Sequence, residues 1–144
     1  MNHFLTKRER YTNRIALHSH SNCIDATIDF YVNFLDFELT RDTALVNGER
    51  WAVLVRSTNA GIQLHLHSPR PDLVPQKLQF EIDADDPLLI ACQLQAAGYS
   101  PKTWEWPYAW GFEIDDPTGN RLTVSWWGDE KDDVANGHQS AGKP

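Results

Sequence analysis

The 144-residue chain has two cysteines, Cys23 and Cys92, and neither has the C-x-x-C neighbour that a zinc ribbon or a redox motif requires. Two thiols make no disulfide framework. Each falls in or beside a segment read below as a helix, so the expectation is a pair of small, partly buried thiols in a reducing cytoplasm. No apolar run approaches the ~20 residues that cross a bilayer, and the polar, basic start lacks the apolar core of a signal peptide, so no membrane partner is expected. Positive charge is scarce: 13 Lys+Arg stand against 20 Asp+Glu, for a net charge of −7. Nucleic-acid binding needs a basic stripe that displaces phosphate counterions, and that class is excluded. An acidic body instead attracts cationic small ligands and repels phosphate. A Ser-His-Asp or Cys-His arrangement and a glycine-rich phosphate loop are missing as well.

With 41% hydrophobic and 23% charged residues, the chain has the composition of one folded domain. Its ends read differently from its middle. Residues 1–13 are an N-terminal arm without a clean period. Residues 128–144 are a disordered acidic tail, with only Val134 larger than alanine among its apolar residues, too few to offset the entropy of ordering. His138 in that tail is set aside.

Between them lies an internal repeat. Arg14–Ser21 alternates as a strand, and Ile24–Leu35 carries apolar residues at helical spacing, with Asn22 or a neighbour as cap and Asp36 as the stop. Phe37–Arg41 starts a strand, Asn47-Gly48 marks a hairpin, and Arg50–Arg56 and Gly61–Ser68 are strands. Residues 69–76 are rich in proline and form a crossover. The order then recurs: strand Leu78–Asp83, helix Pro87–Ala97 capped by Asp85 or Asp86 and stopped by Gly98, and strands at Lys102–Trp106, Trp110–Ile114 and Arg121–Trp127. Residues 14–68 and 77–127 therefore each read as βαβββ, and an offset of 62 places Asp36 on Gly98 at the helix exits.

Two segments carry a family resemblance: Ala26-Thr27-Ile28-Asp29-Phe30-Tyr31 with Phe34-Leu35-Asp36-Phe37-Glu38-Leu39, and Trp110-Gly111-Phe112-Glu113-Ile114-Asp115-Asp116-Pro117-Thr118-Gly119-Asn120-Arg121-Leu122. They resemble the vicinal oxygen chelate superfamily of glyoxalases, bleomycin-resistance proteins and dioxygenases. Asp36 stands where that family usually has glycine, and aspartate tolerates the same backbone conformation. The resemblance implies an α+β fold of two βαβββ modules forming a concave half-barrel cavity, and a homodimer. Ligand positions of the family's metalloenzymes fall on Ala16, Lys77 and Thr123, with a fourth near Gln63 or His65. Alanine, lysine and threonine are no set for a divalent ion. The chain thereby resembles the metal-free bleomycin-resistance branch, and no cofactor is expected.

Strand alternation selects the cavity face. Ile15, Leu17, Ile62, Leu64, Leu66, Leu78, Phe80, Ile82, Leu122 and Val124 are expected against the helices. His18, His20, Gln63, His65, His67, Lys77, Gln79, Glu81, Thr123, Ser125 and Trp127 are expected on the opposite face. Four of the six histidines form two i, i+2 pairs there. Three readings stand for them: a relocated metal site with Glu81 as carboxylate, neutral imidazoles that contact a ligand or act as acid–base groups, and plain polar lining. Trp104, Trp106, Tyr108 and Trp110 cluster in one short stretch before the Asp-Pro turn, which in the bleomycin-resistance branch borders the drug crevice. Trp126 and Trp127 are adjacent on a strand and must point to opposite faces. Aromatic walls stack planar rings and hold cations, so a planar or cationic organic ligand is expected at His18, His20, Gln63, His65, His67, Glu81, Trp104, Trp106, Tyr108, Trp110, Ser125 and Trp127, bound without catalysis. The alternative is a glyoxalase- or dioxygenase-type enzyme using one divalent metal at the relocated His/Glu site.

Overall fold

The computed structural model describes residues 14–58, 61–74 and 76–128. The expected arm over 1–13 and all of the expected 128–144 tail except Gly128 lie outside these residues; the Gly128 N–H donates to the Tyr108 carbonyl. The chain divides between Gln76 and Lys77 into two compact units.

The first unit contains β1 (Ile15–His20), α1 (Ile24–Phe34), β2 (Phe37–Ala44), β3 (Arg50–Arg56) and β4 (Ile62–His67). Its sheet order is β1-β4-β3-β2, with β1 parallel to β4 and the other pairs antiparallel. Ile24, Ile28, Phe30, Tyr31 and Leu35 are buried, as are Phe37, Leu54, Leu64 and Leu66 of the sheet. Tyr31 meets Phe30 and Phe37 edge-on at 5.1 Å each, the geometry that ring quadrupoles favour. Ile15, expected against the helix, is 61% exposed at the start of an edge strand.

The cap of α1 falls on a neighbour of Asn22, as expected, but its bonding is indirect. Cys23 is the cap residue and offers no side-chain acceptor. Ser21 Oγ instead accepts the Cys23 N–H, and the Thr27 hydroxyl donates back to the Cys23 carbonyl. Both cysteines are exposed rather than partly buried: Cys23 precedes the helix, and Cys92 stands on the solvent side of the second one.

The second unit contains β5 (Gln79–Asp83), α2 (Pro87–Ala96), β6 (Lys102–Trp106), β7 (Ala109–Asp115) and β8 (Arg121–Trp127), in the order β5-β8-β7-β6. Here Asp86 does cap: its carboxylate accepts the Leu89 N–H at 3.1 Å. Pro87, Ala91 and Leu94 of α2 are buried, as are Ile82, Phe112, Ile114, Leu122 and Val124 of the sheet.

The two units are the same motif twice. Both are βαβββ, and both pair first strand with last in parallel. Asp36 and Gly98, equivalent in the repeat, both leave their helices with positive φ, at 60° and 97°.

The Asp116–Asn120 turn ties the second sheet together. Asp116 Oδ1 accepts the N–H groups of Gly119 and Asn120, each at 2.9 Å, and its Oδ2 accepts the Asn120 amide at 3.1 Å. Asn120 Oδ1 then accepts the Leu78 N–H at 2.9 Å, which fixes the entry to β5 beside β8. The most specific stretch of the family resemblance is thus a structural latch. Among the described residues no helix is long and apolar enough to cross a membrane.

Candidate functional site

In the first unit the β1–β4 register sets Ala16 opposite Gln63, His18 opposite His65 and His20 opposite His67. Antiparallel pairing adds Trp51 opposite His67 and Val53 opposite His65. Alternation therefore puts the four histidines on one face, as expected, and adds Trp51, which sequence reasoning missed. Its place in the i, i+2, i+4 series Trp51, Val53, Val55 on β3 was the available signal.

The imidazoles form a stack. The rings of His18 and His65 are 4.6 Å apart, those of His18 and His67 5.1 Å, and those of His20 and His67 5.3 Å. Trp51 stacks on His65 at 5.8 Å, and the Arg41 guanidinium lies 4.7 Å from the centre of the Trp51 ring. A bulge in β2 between Leu39 and Arg41 shifts the register that places this arginine.

Hydrogen bonding fixes the state of His65. Trp51 Nε1 only donates, so His65 Nδ1 accepts from it at 3.0 Å. His65 Nε2 then carries the proton and donates to Gln63 Oε1 at 3.0 Å. Arg14 donates to that same oxygen at 3.1 Å. His65 is only 4% exposed. Burial, with the charges of His18, Arg14 and His67 adding to it, pushes its pKa down to about 4. Burial and then His18 and His20 lower His67 as well, against Glu49. His18 Nδ1 and His67 Nε2 lie 2.9 Å apart, one donating to the other.

In the second unit, alternation places Glu81, Thr123, Ser125 and Trp127 on one face, with Glu113 opposite Thr123. Trp104 and Trp106 of β6 pair with Gly111 and Ala109 and share that face. Glu81, Lys102, Trp104, Trp106, Glu113, Thr123 and Trp127 line a cavity of about 350 Å³. Trp104 and Trp106 are 5.3 Å apart, and Trp106 meets Trp127 edge-on at 5.8 Å. Glu81 Oε2 accepts from Ser125 Oγ and from the Trp127 indole N–H. Lys102 and Glu113 are lining residues that sequence reasoning did not place in the cavity; Glu113 is the cross-strand partner of Lys102. Lys102 is the easier one to find. It lies two residues before Trp104 on the same strand, which was the signal.

Three expected cavity residues fall elsewhere. Trp110 pairs with Trp126 and stacks on it at 4.3 Å, on the helix side of the sheet. Pairing of Trp106 with Ala109 makes Pro107-Tyr108 the hairpin turn, so Tyr108 sits at a loop tip, 42% exposed. Lys77 precedes β5 and its side chain lies against Gly119, where an added Cβ would come within 3.3 Å of it.

The donor chemistry at the metalloenzyme positions does not fit a divalent ion. Ala16 offers no donor, the Lys77 ammonium lies over the turn, and Thr123 offers one neutral hydroxyl. By contrast, His18, His65 and His67 each bring one ligand atom within 4.8 Å of the others. Glu81, expected to complete a relocated site, belongs to the other unit and is engaged by Ser125 and Trp127.

The sequence profile of the Glyoxalase/Bleomycin resistance protein/Dioxygenase superfamily matches residues 21–124. A glyoxalase/bleomycin resistance protein from Streptomyces sp. CB03234 is similar in structure, with 23% identity and TM-score 0.64 over 78% of this chain and 99% of that one. TnmS3, an antibiotic binding protein from the same organism, has 23% identity and TM-score 0.64 over 77% and 92%. A lactoylglutathione lyase from Agrobacterium tumefaciens has 20% identity and TM-score 0.58 over 78% and 90%. At these identities the likeness establishes the fold. No protein of curated function matches the chain in sequence.

Proposed function

Because the chain belongs to the Glyoxalase/Bleomycin resistance protein/Dioxygenase superfamily, we propose that it binds a planar, cationic organic molecule and does not transform it. One observation carries this reading. Trp104, Trp106 and Trp127 converge around the carboxylate of Glu81, which two donors hold in place. Indole faces stack on a flat ring system and attract its positive charge, and a carboxylate among them supplies the counter-charge. TnmS3, with the same fold, binds an antibiotic, and a flat antibiotic or dye-like cation suits these walls. Sequestration needs no bond to be made or broken, and the missing donors at positions 16, 77 and 123 support a binder over a lyase of the family's metal-dependent kind. The reading includes a homodimer in the cytoplasm, which sedimentation and cell fractionation test.

A panel of planar cations and their neutral and anionic isosteres, titrated against tryptophan fluorescence, tests the function. Saturable quenching restricted to the cations supports it. Equal binding of the anions, or chemical conversion of a bound compound, overturns it.

A further inference from the structure

We propose that His18, His65 and His67 form a site for one divalent transition-metal ion within the first unit, independent of the tryptophan cavity. One ligand atom from each ring lies within 4.8 Å of the other two. A tetrahedral ion held by nitrogens at ~2.0–2.1 Å needs them about 3.4 Å apart. The His18 and His67 nitrogens stand at 2.9 Å, so small side-chain rotations admit the ion. The backbone is already set, because His18 and His65 are register partners in the β1–β4 ladder and β3 pairs with β4 on its other side.

The donor set is three imidazoles with no carboxylate or thiolate among them. That composition selects Zn(II), Co(II), Ni(II) or Cu(II) and disfavours Mg(II) and Ca(II), which take oxygen. An outer shell is present too. Metal-bound histidines characteristically donate their second N–H to an acceptor that fixes the ring, and His65 Nε2 donates to Gln63 Oε1, itself anchored by Arg14. Nδ1 of His65 is then the coordinating atom. The Trp51 indole N–H, which now occupies that lone pair, gives it up to the ion. Three protein ligands leave a fourth position open. With Arg14 on Gln63 and Arg41 over Trp51 nearby, an anionic donor such as hydroxide or a carboxylate suits it best.

The test uses the full chain stripped with a chelator, titrated with Zn(II) by calorimetry and with Co(II) by visible absorption and tryptophan fluorescence. One ion per chain is expected, with a d–d band of tetrahedral intensity and partial quenching of the fluorescence. Trp51→Phe is expected to reduce that quenching without abolishing binding. His18→Ala and His67→Ala, checked for folding by near-ultraviolet circular dichroism, are expected to weaken binding by at least about tenfold each. His20→Ala and the paired His3→Ala/His138→Ala variant are expected to keep it. The proposal is overturned if Zn(II) binds the His18→Ala/His67→Ala double variant as tightly as the parent, or if binding disappears with His3 and His138. None of these readouts involves the organic ligand, so this site and the tryptophan cavity stand or fall separately.

Discussion

The indole N–H of Trp127 donates to Glu81 Oε2 at 2.9 Å, joining one wall of the second unit's cavity to one of its charged groups. Glu81→Gln keeps an oxygen acceptor for that bond and removes the charge. Affinity for planar cations is expected to drop about tenfold, with little change for a neutral isostere, in fluorescence titrations. The midpoint of thermal unfolding should stay within a few degrees, since Glu81 is exposed. Trp110→Phe serves as the contrast. It alters the helix-side stack with Trp126 and should leave ligand affinity unchanged.

Asn120 is 1% exposed and bridges Asp116 to the Leu78 N–H. Asn120→Ala strands a backbone donor and a carboxylate oxygen. A loss of about 2–3 kcal/mol is expected in urea unfolding, seen as a lower midpoint.

The helix exits give a paired prediction. Asp36 holds φ at 60°, a region that disfavours side chains other than Asn and Asp. Asp36→Gly should leave stability unchanged or raise it by up to about 1 kcal/mol, while Asp36→Val should lower it by about 1–2 kcal/mol. Gly98→Ala should lower it by about 1 kcal/mol through the backbone alone, because a Cβ there meets nothing within 4 Å.

His65 makes the metal-stripped protein sensitive to acid. Its folded pKa of about 4 lies below the ordinary value of 6.5. Between those two values the unfolded chain takes up a proton that the folded one refuses. Stability should therefore be level above pH 6.5, fall as the pH drops through that window, and level off again below about 4. The loss is on the order of 3 kcal/mol at most. His65→Gln should flatten this slope in urea titrations at a series of pH values.

Much of the fold is legible in the sequence because strand and helix periods survive in the residues that face the cores. Period-two alternation places His18, His65 and Glu81 on their faces correctly. The adjacency of Trp126 and Trp127 correctly separates them. Trp110 misleads because nearness along the chain is not nearness in space. Its face depends on which residue lies opposite Trp106, and the pairing with Ala109 reverses it. Arg41 is invisible for a similar reason, since its place over Trp51 depends on a bulge that no alternation announces. The place of the α1 cap beside Asn22 is legible, but its bonding is not, because Ser21 acts on Cys23 rather than on the first turn. The Asp116–Asn120 motif identifies the family but says little about ligands, because its polar atoms are spent within the turn.

The matching positive φ angles at Asp36 and Gly98 record the duplication in torsions where the letters have drifted apart. Each half packs its sheet on its own helix, and the sheet faces turned away from the helices differ in chemistry. One face gathers imidazoles that can bind an ion, and the other sets three indoles among Glu81, Glu113 and Lys102. One pattern of bends thereby carries two different chemistries within a single chain.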